Sequence, residues 1–238
     1  MRRAPAVDLT VYVRALPLLA RNPHIIVLPL LMAVIGVLVG QVFSPYGGGL
    51  FTVAAGGLAG LLALLLMMFG VGAACIIADE AWRRGHASFD RGWDEARRRS
   101  GEIFMAAIGY SLLIGVAQYV GSMFGAVALV IEAAVFYFLI WTLPAAAIGG
   151  VPGGAAIQVS IDRVRSAPLE AALVSIVSLG VMILVGFELP ARVDLWIYPF
   201  VPMTTMTIAL VSALFKAIAL GYIALVITKT YTDRAFGR

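Results

Sequence analysis

Two charged residues stand inside otherwise apolar runs: Glu132 in GAVALVIEAAVFYFLIW and Lys216 in ALVSALFKAIALGYI. An isolated charge deep in a bilayer costs about 2.5–3.5 kcal/mol on insertion scales, so such a residue faces a partner or a watered cavity. Both runs are expected to cross in the same direction, with each charge near the middle. Glu132 and Lys216 are therefore expected to face each other. The pair has two readings: a polar site for a proton, an ion or a lipid head group, or a neutralising contact that locks two helices together.

Other chemistry is sparse. Glu188 and Arg192, four residues apart at the end of an apolar run, suit an exposed interfacial pair of small energetic weight. Gln118 is one further polar group near a span end, with no role assigned. His24 and His86 have no ligand partners spaced beside them, so no metal site or cofactor is expected. No phosphate-binding glycine loop before a lysine, HExxH, GxSxG or cysteine pair is present. An enzyme is not expected. Cys75 is the single cysteine, which excludes an internal disulfide.

The elements that carry these residues follow from composition. Hydrophobic residues make up 62% of the 238 positions and charged ones 13%, with a mean hydropathy of +0.99. A soluble domain of this composition would lack a polar coat, so the surface must be solvated by lipid. The fold class is all-α, a polytopic integral membrane protein in a single domain over 1–238. Six transmembrane helices are expected at about 24–41, 51–78, 103–119, 122–146, 169–187 and 203–228. An amphipathic helix over about 8–21 precedes them, with an apolar stripe through Leu9, Val13, Leu16 and Leu19. Pro29 inside the first span is tolerated if neighbours satisfy the freed carbonyl. The basic start, interrupted by Pro5, Asp8 and Arg14, does not read as a cleaved signal peptide.

The longest polar interruption, Asp79 to Glu102, carries Arg83, Arg84, Arg91, Arg97, Arg98 and Arg99. Of 17 lysines and arginines, four precede the first span, six lie in this loop, two in a second loop and three in the tail. This asymmetry predicts an inner-membrane, multi-pass protein with both termini cytoplasmic. The arginine-rich loop should meet anionic head groups, which makes membrane lipids the expected partner and nucleic acid an unneeded one. Within it, Asp94 with Arg98 and Glu95 with Arg99 form helical pairs, and Trp82, Phe89 and Trp93 would seat the segment among head groups. Trp196 and Tyr198 are placed as interfacial aromatics on the opposite side.

Each apolar hairpin is preceded by a short basic piece and a breaker: Arg21-Asn22-Pro23, Arg99-Ser100-Gly101, and Arg165-Ser166-Ala167-Pro168. Three equivalent hairpins, or simply three loops that each need charge and a turn, account for this. Gly36 with Gly40, Gly56 with Gly60, and Gly121 with Gly125 have the spacing that lets helix backbones approach, within the bundle or in a homo-oligomer.

The segment RNPHIIVLPLL, the arginine-rich helix with Gly85 and Gly92, and LPAAAIGGVPGGAAIQVSIDRVRSAP together resemble a family of bacterial polytopic membrane proteins. That family includes YciC and the membrane domain attached to some glycerophosphodiester phosphodiesterases. The chain differs from the fused members in having no hydrolase segment. The resemblance implies a fold and a membrane location but no catalytic residue. The expected function is a membrane scaffold or accessory protein that packs with lipid or a protein partner. The alternative is a small permease or lipid-handling protein with Glu132 and Lys216 at its centre.

Overall fold

The computed structural model describes residues 8–42, 50–124, 127–197 and 205–236, all of them helical or in short connections. Six segments are long and apolar enough to cross a membrane: Pro23–Gly40, Gly56–Arg84, Ser100–Ser122, Leu129–Ala147, Pro168–Val193 and Met206–Ala235. The all-α, six-span architecture expected from composition is observed. The SPYGGG link from Ser44 to Gly49, Gly125 and Tyr198 lie outside the described residues, as does the side chain of Trp196.

The element order repeats. Helix α1 (Thr10–Arg21) leads through a 3-10 turn at Pro23–Ile26 to α2 (Val27–Val42) and α3 (Leu50–Arg84). Helix α4 (Phe89–Arg98) then leads to α5 (Ser100–Ser122) and a broken return span, α6 (Ala128–Leu139) with α7 (Thr142–Ala147). Helix α8 (Gly153–Ser166) leads to α9 (Pro168–Val181), a π-helical stretch at Met182–Glu188, α10 (Leu189–Ile197) and α11 (Thr205–Phe236). Each unit is a short helix followed by a pair of spans that pack on each other.

One hydrogen-bonding device recurs in all three units. Near the end of each short helix, a side chain donates to a carbonyl close to the C-terminus of the second span of its own hairpin. Asn22 Nδ2 donates to Gly85 O at 3.3 Å. Arg99 donates to Ala147 O and Ile148 O at 3.1 and 3.0 Å. Arg163 donates to Tyr231 O at 2.7 Å. Terminal helix carbonyls have no partner within their own helix, so Asn22 and Arg99 cap the ends of α3 and α7; Arg163 adds a bond to a carbonyl in the second-to-last turn of α11. This gathers all three short helices at one pole of the bundle, the arginine-rich end.

Local chemistry sets the boundaries. Helix α3 runs six residues past the expected end at Ala78, because Asp79 pairs with Arg83 and Glu80 with Arg84 one turn on. It stops at Gly85, whose φ of 77° is open to glycine at little cost, and whose N–H returns to Ala81 O at 2.8 Å. Pro29 falls in the first turn of α2 rather than mid-span, where its missing N–H costs little. The break between α6 and α7 has a filler. Trp141 N–H donates to Ser160 Oγ at 3.1 Å, and that hydroxyl donates to Phe138 O at 2.8 Å. Trp141 Nε1 reaches Thr230 Oγ1 at 3.0 Å, which fixes the register of α7 against α11.

Helix α1 packs its Val11, Ala15 and Leu19 stripe on α11, and Tyr222 donates from its hydroxyl to Tyr12 O at 2.9 Å. Of the expected stripe, Leu19 is buried against the bundle, while Leu9, Val13 and Leu16 point away from it and are exposed. The sequence carries two apolar stripes on this helix, and the one with the smaller side chains meets protein.

Candidate functional site

Four helices surround a cleft of about 590 Å³ lined from α2, α3, α5 and α11. Of the fourteen lining residues among those described, twelve are apolar and eight are glycine or alanine, among them Gly36, Gly57, Gly60 and Gly115. Among the described lining residues the polar ones are Gln118 and Lys216. Gly57, Gly60 and Gln118 are exposed, so the cleft opens on the bundle surface.

Lys216 is placed by its neighbours. Its aliphatic stem passes Gly186, where a Cβ would lie 3.6 Å from Lys216 Cγ. Its ammonium sits 4.9 Å from the centroid of the Phe187 ring, a favourable geometry for a cation over an aromatic face. Both residues belong to the π-helical stretch Met182–Glu188. Wide helical turns of this kind are rare and concentrate at functional positions. Among the described residues, Lys216 makes no ion pair and no hydrogen bond. An ammonium half-buried in apolar surroundings without a counter-charge is unusual, because burying a charge is costly unless it is paired.

The expected Glu132–Lys216 pair does not form. Glu132 is half-buried on α6, which packs on α5, α8 and α9, and no ion pair joins it to Lys216. The register gives the reason. Trp141 and Thr230 are level; Glu132 precedes Trp141 by nine residues and Lys216 precedes Thr230 by fourteen. At 1.5 Å per residue the two charges stand about 14 and about 21 Å from that common layer, roughly 7 Å apart in depth.

At the arginine-rich end, polar groups are spent on one another. Arg83 pairs with Asp79 at 2.5 Å, and Arg84 and Arg91 converge on Glu80 at 3.1 and 3.2 Å. Arg98 and Arg99 share Glu95 at 2.7 and 2.6 Å. The Arg99 hydrogen bond, with the nearby guanidinium charges, holds the Glu95 carboxyl below its ordinary range. Arg98 thus takes Glu95 rather than the expected Asp94. Arg99 turns inward to the α7 carbonyls rather than out to lipid. Arg97 is exposed and makes no ion pair among the described residues. Trp82 is not a head-group anchor: it donates to Leu225 O at 2.9 Å and joins α3 to α11. Phe89 and Trp93 stack on each other at 6.5 Å. Glu188 and Arg192 form the expected exposed pair, 3.9 Å apart.

The glycine expectations divide. Gly36 meets α3 closely, its would-be Cβ lying 3.3 Å from Ala63 Cβ. Gly40, Gly56 and Gly60 have open space where a Cβ would stand, and Gly121 is buried. The tighter approaches lie elsewhere: a Cβ on Gly72 or Gly92 would come within 2.5 Å of Ile103 or Ile77. Spacing alone does not mark these, because each glycine opposes a large residue on another helix. Phe187 carries no sequence signal as a partner for Lys216, because a π-helical register is not written in hydropathy.

Comparison with protein-family models, curated proteins and solved structures gives no match. The cleft itself carries the functional reading.

Proposed function

We propose that this six-span membrane protein handles an amphiphile, holding it in the cleft between α2, α3, α5 and α11. One observation carries this reading: an open, glycine-walled cleft with a half-buried Lys216 at its edge that is unpaired among the described residues. Its size falls within the range of small-molecule sites, and its lining is mostly apolar with a few polar groups, as such sites require. Glycine and alanine leave room where larger residues would close the helices together.

Holding is favoured over passage. Towards the arginine-rich end the bundle is filled by Ile77, Ile103, Trp141 and Leu225, all buried. A permease would need a hydrated continuation through that layer. A pure scaffold would have its centre packed throughout, and the cleft argues against that. By the charge asymmetry of the loops, the arginine-rich pole faces the cytoplasm and the cleft lies in the outer half of the membrane.

Native mass spectrometry of protein released from lipid nanodiscs tests the reading. Wild type is expected to retain lipid beyond the bulk annulus. A Gly57→Leu, Gly60→Leu variant fills the cleft where no neighbour stands within 4 Å, and is expected to lose that lipid while keeping its helical content and unfolding temperature. Equal retention by a folded variant would refute the cleft as the binding site.

A further inference from the structure

We infer that the occupant of the cleft is an acyl amphiphile with a single negative charge on its head group, set by Lys216 and Gln118. This rests on the amphiphile-handling reading above and adds the ligand class. Three observations converge on it.

The first is charge. Lys216 is the one ionisable group among the fourteen described lining residues, and among the described residues its neighbour is the Phe187 ring rather than a carboxylate. A ring face lowers the cost of holding the ammonium but leaves its positive charge uncompensated. A single anionic group would complete it. A head group of several negative charges would be left with one cation, and a zwitterionic head would bring its own ammonium against Lys216.

The second is placement. Thr228 Oγ1 donates to Cys75 O, and Gly72 of α3 faces Ile103 of α5. Counted at about 1.5 Å per residue from these contacts, Lys216 stands level with Ala63 and Gln118 with Gly57, about 9 Å farther from the arginine-rich pole. The ammonium and the Gln118 amide N–H thus reach the cleft from two helices, α11 and α5.

The third is the lining beside Lys216 and toward the arginine-rich pole. Gly36, Ala33, Ala63, Leu64 and Met67 offer no side-chain hydrogen-bonding group, so this part of the cleft accommodates a hydrocarbon chain. Met67 is the most adaptable of them, a flexible gap filler suited to a mobile tail.

A monoanionic phospholipid and a free fatty acid share this chemistry, and the experiment separates them. Protein in nanodiscs of equal phosphatidylglycerol and phosphatidylethanolamine, with and without added oleate, is analysed by native mass spectrometry. Wild type is expected to retain phosphatidylglycerol or oleate at least fivefold over phosphatidylethanolamine; whichever is retained names the source. Lys216→Met is expected to retain lipid with the preference abolished, and Lys216→Arg to keep it. Retention of both phospholipids in equal amount by wild type would overturn the anionic assignment and leave the cleft as a lipid site. Loss of all specific lipid from wild type would overturn both. Since Lys216→Met also changes the shape of the cleft, Gln118→Leu gives a second arm, with a smaller drop in preference expected; unchanged selectivity in both variants would contradict the assignment.

Discussion

The two poles of this bundle use polar residues in opposite ways. At the arginine-rich end, carboxylates, guanidinium groups and helix carbonyls are matched to one another, and three short helices are each tied down by a side-chain bond to the span that returns to them. In the other half, helices separate around a glycine-lined cleft, and an ammonium stands with an aromatic ring as its neighbour. Polar groups that find partners inside the chain hold architecture, whereas a polar group left without one is available to a ligand.

The contrast is broken most severely at the caps. Asn22 is fully buried, donates to Leu18 O and Gly85 O and accepts from Ala87 N at 2.8 Å. Asn22→Leu would leave the Ala87 N–H and the Gly85 carbonyl without this partner, while Leu18 O keeps its bond from the Asn22 backbone N–H, at a cost of about 2–3 kcal/mol. Thermal unfolding in detergent should show it as the most damaging of these substitutions, with α1 detaching first in hydrogen exchange. Glycine packing gives the next effect. Gly92→Ala drives a methyl into Ile77 and should cost about 1–3 kcal/mol, with partial rescue by Ile77→Val. Gly60→Ala, in open space at the cleft, should leave unfolding unchanged. Equal effects at the two glycines would erase the distinction between a packed pole and an open one.

Six spans are legible in the sequence because a run of about twenty apolar residues matches the thickness of a bilayer core and exceeds what a soluble helix buries. Lys216 is legible as an isolated charge, but its partner is not. Depth counted from apolar runs assumes unbroken helices ending together. The structure departs from that: α6 and α7 are parted at Trp141, where Ser160 fills the break, and α11 continues to Phe236, eight residues past the expected end. Asn22-Pro23 reads as a breaker because local sequence reports the backbone; the side-chain bonds of Asn22 reach 63 and 65 residues away. Six arginines are legible as a basic loop. Their pairing is only partly so, because Arg91 reaches Glu80 on another helix.

A gentler perturbation is pH. The folded Glu95 carboxyl titrates below its ordinary range, so its stabilising contribution is fully present above about pH 4.3, the unfolded value. It is lost as pH falls through the lower folded value. Wild type should therefore lose unfolding temperature on acidification below that point, and Glu95→Gln should show a flatter profile with lower stability at neutral pH. The smallest effect is expected at Glu132. It makes no ion pair with Lys216, so Glu132→Gln should leave lipid retention and head-group preference at wild-type values.

Photolabelling with a diazirine-bearing fatty acid in nanodiscs, followed by peptide mapping, tests the central claim most directly. Labels concentrated on Gly57 to Met67 of α3 and Ala209 to Lys216 of α11, and competed away by unlabelled oleate or phosphatidylglycerol, would place the amphiphile in the cleft. Labels spread evenly over exposed positions such as Leu129, Val130 and Ile176, with no competition, would mean that lipid only surrounds the bundle and that the cleft is empty space.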